Sequence, residues 1–112
     1  MDTVARYHEA ITRVLHEFVE ALQGMASGLE TLLISDEPQQ TYAILELGWE
    51  GKQRVCLMLV LVRIVETKVW MEVDNTDYGF VDRLIAAGIP MGDLVLAFHH
   101  PALRQHTPFA VV

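Results

Sequence analysis

Residues 69–112 read VWMEVDNTDYGFVDRLIAAGIPMGDLVLAFHHPALRQHTPFAVV, and the order of signals in this stretch decides the fold. Residues 69–74 carry the β-branched and aromatic side chains of a strand. Asn75 or Thr76 then offers a helix cap, and Asp77 stands where a helix dipole favours negative charge. Phe80, Val81, Leu84 and Ile85 make an apolar stripe at helical spacing, which predicts a helix over 76–87. Gly88 and Pro90 are its stop signal. Residues 93–99 read as a short strand or extended edge, 101–105 as one helical turn, and 109–112 as an apolar tail that packs on the body.

The same reading extends upstream. Val4, Tyr7, Ile11, Val14, Leu15, Phe18 and Leu22 recur every three or four residues, predicting a helix over 2–22 about 30 Å long. Asp2 or Thr3 can cap it, and Gly24 can end it in the left-handed conformation. After a short loop over 24–28, residues 30–35 form a first strand and 36–40 a turn. Residues 42–49 form a second strand, Glu50-Gly51 a tight hairpin, and 53–66 a long third strand that returns through Thr67-Lys68 to the strand at 69–74. Short turns between successive strands imply an antiparallel meander. The expected architecture is α+β: one domain over 1–112 with an N-terminal helix, a four-stranded meander, a second helix, a final short strand and an ordered tail.

Bulk composition bounds what this domain does. With 112 residues, 52% hydrophobic and 21% charged, the chain is globular rather than disordered. A mean hydropathy of +0.27 is high for a small chain and points to self-association or a partner surface. The single cysteine, Cys56, allows neither an internal disulfide nor a zinc cluster. No basic segment precedes an apolar stretch, and the eight-residue apolar run over 55–62 is too short to cross a bilayer, so a cytoplasmic chain without a membrane partner is expected. The net charge of −7 arises in the first half, where residues 1–50 hold nine acidic and two basic side chains. Residues 51–112 hold six of each. A duplex binder clusters Lys and Arg to neutralise phosphates, and no such cluster occurs, so direct DNA binding is disfavoured.

The third strand carries the functional signal. Under strict alternation Val55, Leu57, Leu59 and Leu61 point one way and Cys56, Met58, Val60 and Val62 the other, so both faces are apolar. Such a strand is normally covered on both faces, and two helices can cover only one. Assigning the covered face to the first set leaves Tyr42, Ile44, Met58, Val60 and Trp70 as an apolar surface bordered by Glu46, Arg54 and Glu72. That is the composition of an interface core and rim, and these five are the expected partner-binding residues. Closure of this face by the chain's own loops or tail is the competing reading.

Catalysis is not expected. His99 and His100 are adjacent in an extended segment and point apart, and no HExxH occurs, so no metal or cofactor is predicted. His8 and His16 are eight residues apart on the first helix and read as boundary positions. Cys56 reads as a buried, inert thiol in an apolar strand. Glu72 and Asp74 share a strand face, but Asp74 and Asp77 flank a helix start, where capping explains them. A polar C-terminal cluster of Asp74, Thr76, His99, Arg104 and Thr107 is the alternative site, as a small ligand-binding or hydrolytic domain. Arg104 is its centre, a lone guanidinium able to clamp carbonyls or a carboxylate, and it is expected to tie the tail down through Asp74 or Asp93.

Gly48-Trp49-Glu50-Gly51 with Arg54-Val55, Val69-Trp70, Asp74 with Thr76, Leu84 with Gly88-Ile89-Pro90, residues 93–99, Pro101, Arg104, Thr107 and Phe109-Ala110-Val111 together resemble the XisI family, the cyanobacterial fdxN element excision controlling factors. Their order and spacing over more than half the chain carry the resemblance. This chain has Asp74-Asn75-Thr76-Asp77 where the family typically has Asp-Gly-Thr-Glu, and Val112 where it ends in alanine. The resemblance implies a non-enzymatic accessory role in programmed DNA rearrangement, such as accompanies heterocyst development. It also implies an XisH-like, nuclease-fold protein as partner, within reach of a site-specific recombinase complex. It supplies no catalytic residues.

Overall fold

The computed structural model describes residues 2–23 and 28–112. Helix α1, Thr3–Gln23, is followed by strands β1, Leu29–Asp36, β2, Thr41–Glu50, β3, Gln53–Val65, and β4, Lys68–Asp74. Helix α2, Phe80–Ala86, leads through a 3-10 turn at Met91–Asp93 to β5, Leu94–Leu96, and a single helical turn α3, Pro101–Arg104. The sheet order is β1-β2-β3-β4-β5. The first four strands are an antiparallel meander, and β5 joins β4 in parallel across the α2 crossover. The α+β architecture is the expected one. The expected C-terminal stop of α1 at Gly24 and the loop over 24–27 lie outside the described residues.

Helix α1 forms because its apolar residues make one stripe. Tyr7, Ala10, Ile11, Val14, Leu15, Phe18 and Val19 are buried, and Asp2 Oδ1 accepts the Ala5 amide at 2.8 Å as the cap. Helix α2 begins four residues later than its predicted start. Asp74 Oδ1 accepts both the amide and the hydroxyl of Thr76, at 3.0 and 2.7 Å, and Thr76 Oγ1 accepts the Tyr78 amide at 3.3 Å. These side chains hold residues 74–78 in a local turn instead of a helix. Gly79 then enters the helix with φ +83°, a conformation costly for any residue with a Cβ. Strand β5 is shorter than the predicted 93–99, because Asp93 belongs to the 3-10 turn and the chain reverses after Leu96 through His99 N–H to Leu96 C=O, 3.0 Å.

Both longer helices pack on the same side of the sheet. The core joins the α1 stripe to Tyr42 and Ile44 of β2, Leu59, Val60, Val62 and Ile64 of β3, Val69 and Met71 of β4, and Leu94 of β5. Phe80, Leu84 and Ile89 close it from the α2 side, with Phe80 5.0 Å from Phe18 ring to ring. Burying this many Leu, Ile, Val and Phe side chains, at about 1.5–3 kcal/mol each, is the main force holding the helical layer on the sheet.

Two bulges decide which residues reach this core. Ile44 pairs with Val60 but Leu45 pairs with Met58, so Leu59 is an extra residue in β3. Leu61 pairs with Val73 but Val62 with Met71, so Glu72 is extra in β4. An inserted residue resets the pleat. Met58 and Val60, which strict alternation puts on one face, therefore lie on opposite faces. The sequence-based assignment of faces is corrected accordingly: Tyr42, Ile44 and Val60, at 2%, 0% and 0% exposure, are core residues beneath α1 and not a partner surface.

Candidate functional site

The side of the sheet away from the helices is apolar and open, and the strand register arranges it in rows. Leu32, Leu45 and Met58 form one row. Ile34, Ala43, Leu61 and Val73 form a second, and Glu30, Leu47 and Cys56 a third. The rows end at the β2–β3 hairpin, where Trp49 pairs with Arg54 and the guanidinium carbon sits 5.6 Å from the indole ring. Ile34, Trp49 and Met58 are 51%, 56% and 37% exposed, large values for such side chains, and Cys56 is exposed beside them. Leu32, Leu45, Leu47, Leu61 and Val73 are half-buried, each shielded mainly by its neighbours in the sheet.

This outer face has a charged margin. Arg63 and Glu72 pair at 2.8 Å beside Trp70, and Glu30 and Asp36 flank the β1 side. Three strands at about 4.8 Å spacing, each exposing about 20–25 Å of length, give a flat footprint on the order of 300 Å², a part of the roughly 800 Å² that one partner contributes to a standard interface. The hairpin stands close against the start of β1: Gly48 has φ +146°, and a Cβ there would lie 2.5 Å from the Gly28 carbonyl oxygen. No side chain fits that approach, so Gly48 fixes where Trp49 projects.

The five residues expected to bind a partner are therefore divided. Only Met58 lies on the open part of the outer face. Trp70 is on the same side but lies under the C-terminal segment, with the Arg104 guanidinium 5.5 Å from its ring. Its neighbour Val95 is covered through a parallel bridge to Ala110. The residues that dominate the open surface, Ile34, Leu45, Leu47 and Trp49, escaped the sequence reading because that reading followed strict alternation through β3. Cys56, expected to be buried because its strand is apolar, is exposed, since it lies beside Met58 on the face that no helix covers.

The polar C-terminal cluster is also divided. Arg104 is 8% exposed and spends its donors on backbone: Nε to the His99 carbonyl at 3.0 Å, Nη2 to Ala97 at 3.2 Å and Nη1 to Val111 at 3.3 Å. It ties the tail down as expected, through carbonyls and not through Asp74 or Asp93. Thr107 Oγ1 donates to the Arg104 carbonyl at 2.9 Å and completes the turn. Asp74 and Thr76 satisfy each other at the far end of β4, four residues or about 13 Å of strand from Trp70. The structure thus joins Arg104, Thr107 and the His99 backbone into a structural clamp and leaves Asp74 with Thr76 outside it. Among the described residues no group of three or more His, Cys, Asp or Glu is placed to hold a metal ion.

Two polar pairs that sequence spacing did not reveal join distant elements. The Tyr7 hydroxyl donates to Asp93 Oδ2, tying α1 to the 3-10 turn. Burial first, and then this contact, push the Tyr7 hydroxyl up to about 12. His8 Nδ1 lies 2.6 Å from the Tyr42 hydroxyl, and its Nε2 lies 4.0 Å from Glu37. Burial, and after it the Glu37 charge, raise the Tyr42 hydroxyl above its usual value. A shallow cavity of about 350 Å³, lined by Asp2, His8, Glu9, Glu37, Gln40 and Tyr42, opens beside this pair. It is open and acidic, and Tyr42 in its lining is buried and already bonded to His8.

Comparison with known proteins follows the same lines. The family model described as XisI protein matches residues 1–111. The crystal structure of the fdxN element excision controlling factor XisI from Anabaena variabilis ATCC 29413 is similar with a TM-score of 0.86 and 33% identity, over 99% of this chain and 100% of that one. An XisI-like protein from the same organism is similar with a TM-score of 0.90 and 26% identity, over 97% of this chain and 99% of that one. No curated protein gives a match. No described helix is long and apolar enough to cross a membrane.

Proposed function

The chain belongs to the XisI family, and from that premise we propose that it is a non-catalytic accessory factor for DNA-element excision that works by docking another protein on the outer face of its sheet. The partner in this reading is an XisH-like, nuclease-fold protein, acting with a site-specific recombinase. The observation that supports it is the open apolar surface built from Ile34, Leu45, Leu47 and Met58 and ending at Trp49 and Arg54. Trp and Arg are the residue types that carry most binding energy at protein interfaces, and the charged margin has the composition of a rim. The similar Anabaena protein bears the name of an excision controlling factor. The acidic first half argues against the chain gripping DNA by itself.

Co-purification with an XisH-like protein from the same source tests the reading. The complex should form with the native chain and be lost with Met58→Glu, which places a charge at the centre of the face. Survival of the Met58→Glu complex would show that the outer face is not the docking surface. A mobility shift of duplex DNA by the isolated chain at physiological salt would instead favour direct DNA binding.

A further inference from the structure

The two edges of the sheet are finished differently. At β5 the edge is three residues long and closed: Val95 bridges to Ala110, and the Ala110 amide donates to the Leu94 carbonyl at 2.8 Å. At β1 the edge runs for eight residues, and among the described residues no strand pairs with its outer side. Strand β1 has few safeguards along its middle. Its charges, Glu30 and Asp36, stand near the two ends, it contains no Pro, Lys or Arg, and its register against β2 is unbroken from Leu29 to Asp36, whereas the β2–β3 and β3–β4 pairings each carry a bulge. A long, regular edge bearing Leu32, Leu33 and a half-exposed Ile34 is a template for another strand.

We propose that the occupant is a second copy of this chain, with the two β1 strands pairing antiparallel about a two-fold axis at Leu32. Charge selects that register. A two-fold at Leu33 would set Glu30 directly opposite Asp36 twice, and like charges across a ladder are destabilising. Moving the axis to Leu32 sets Glu30 opposite Ile34, Thr31 opposite Leu33 and Leu32 opposite its copy, which removes both repulsions and keeps every side chain on its own face. The outward amide and carbonyl groups of 30–34 then find partners, and two five-stranded sheets become one ten-stranded sheet. The interface is isologous and closes at two subunits. It buries a strand edge and not a broad face, so its affinity is modest, on the order of micromolar. This pairing is independent of partner docking, because Met58, Trp49 and Cys56 stay uncovered.

Sedimentation equilibrium of the full chain over about 1 to 100 μM brackets that affinity. The mass should rise toward twice the 12.6 kDa of one chain. Leu32→Lys, which opposes two lysines across the axis, should weaken association by about tenfold or more while leaving circular dichroism unchanged. In a Cys56→Ser background, Leu32→Cys should form an intermolecular disulfide under mild oxidation and Ser35→Cys should not, since only position 32 meets itself. A one-chain mass throughout the range would overturn the proposal. So would a dimer that ignores Leu32→Lys and fails to cross-link through position 32. Met58→Glu should leave the dimer intact, so failure of self-pairing and failure of partner docking are separately visible.

Discussion

The two faces of this sheet have nearly the same composition and opposite fates. Beneath α1, Ile44, Val60 and Met71 are inaccessible to water; one residue along β2, and two along β3 and β4 across their bulges, Leu45, Met58 and Val73 are half-open or exposed. Residues facing the helices are fixed by packing, and an apolar residue there states nothing about function. An equally apolar face with no helix over it carries a continuing cost in exposed area, and such surfaces mark interaction sites. The difference between the faces is one of coverage, and coverage is what turns greasy strands into a candidate site.

The widest test of this contrast uses two neighbours in β2. Ile44→Ala should destabilise by about 2–5 kcal/mol in urea unfolding, because it opens a cavity in a closed core. Leu45→Ala should cost about 1 kcal/mol or less, since its site is already open to water. Equal losses at the two positions would mean that the outer face is covered in the isolated chain. Next in size is the clamp under the tail. Arg104→Met removes three donors to part-buried carbonyls and should cost about 2–3 kcal/mol, and Arg104→Lys should not restore it, because a point charge cannot reach three carbonyls.

A smaller effect separates the helical layer from the open one by pH. The raised Tyr7 hydroxyl means that the folded chain holds its proton where the unfolded chain has released it. Its contribution is thus present below pH 10 and lost as pH climbs through about 12. Tyr7→Phe should cost about 1 kcal/mol near neutrality through the lost bond to Asp93, and its stability should fall less steeply than wild type between those two values. Smallest of all, Met58→Glu should change the stability of the isolated chain by about 0.5 kcal/mol or less, although under the docking proposal it should abolish partner capture.

Periodicity made α1, the four meander strands and the strand-helix-strand return of the C-terminal part legible in the sequence. Each rests on apolar spacing or on a turn residue such as Gly51 or Gly88, which act locally. Faces were not legible, because a bulge at Leu59 or Glu72 is a property of two strands in register and leaves no mark in one of them. The same limit concealed the Tyr7–Asp93 and His8–Tyr42 pairs, which join residues 86 and 34 positions apart. Arg104 was identifiable as the anchor of the tail, since a lone cation between apolar segments needs acceptors. That those acceptors are carbonyls follows from the turn at 97–104, which only the folded chain supplies.

Alkylation of Cys56 tests the docking reading most directly, because this thiol is exposed in the third row of the outer face and lies away from the β1 edge. Its labelling rate is measured in the free chain and in the complex with an XisH-like protein. The outer face as docking surface predicts fast labelling in the free chain and strong protection in the complex. A stable complex in which Cys56 reacts as quickly as before would contradict it.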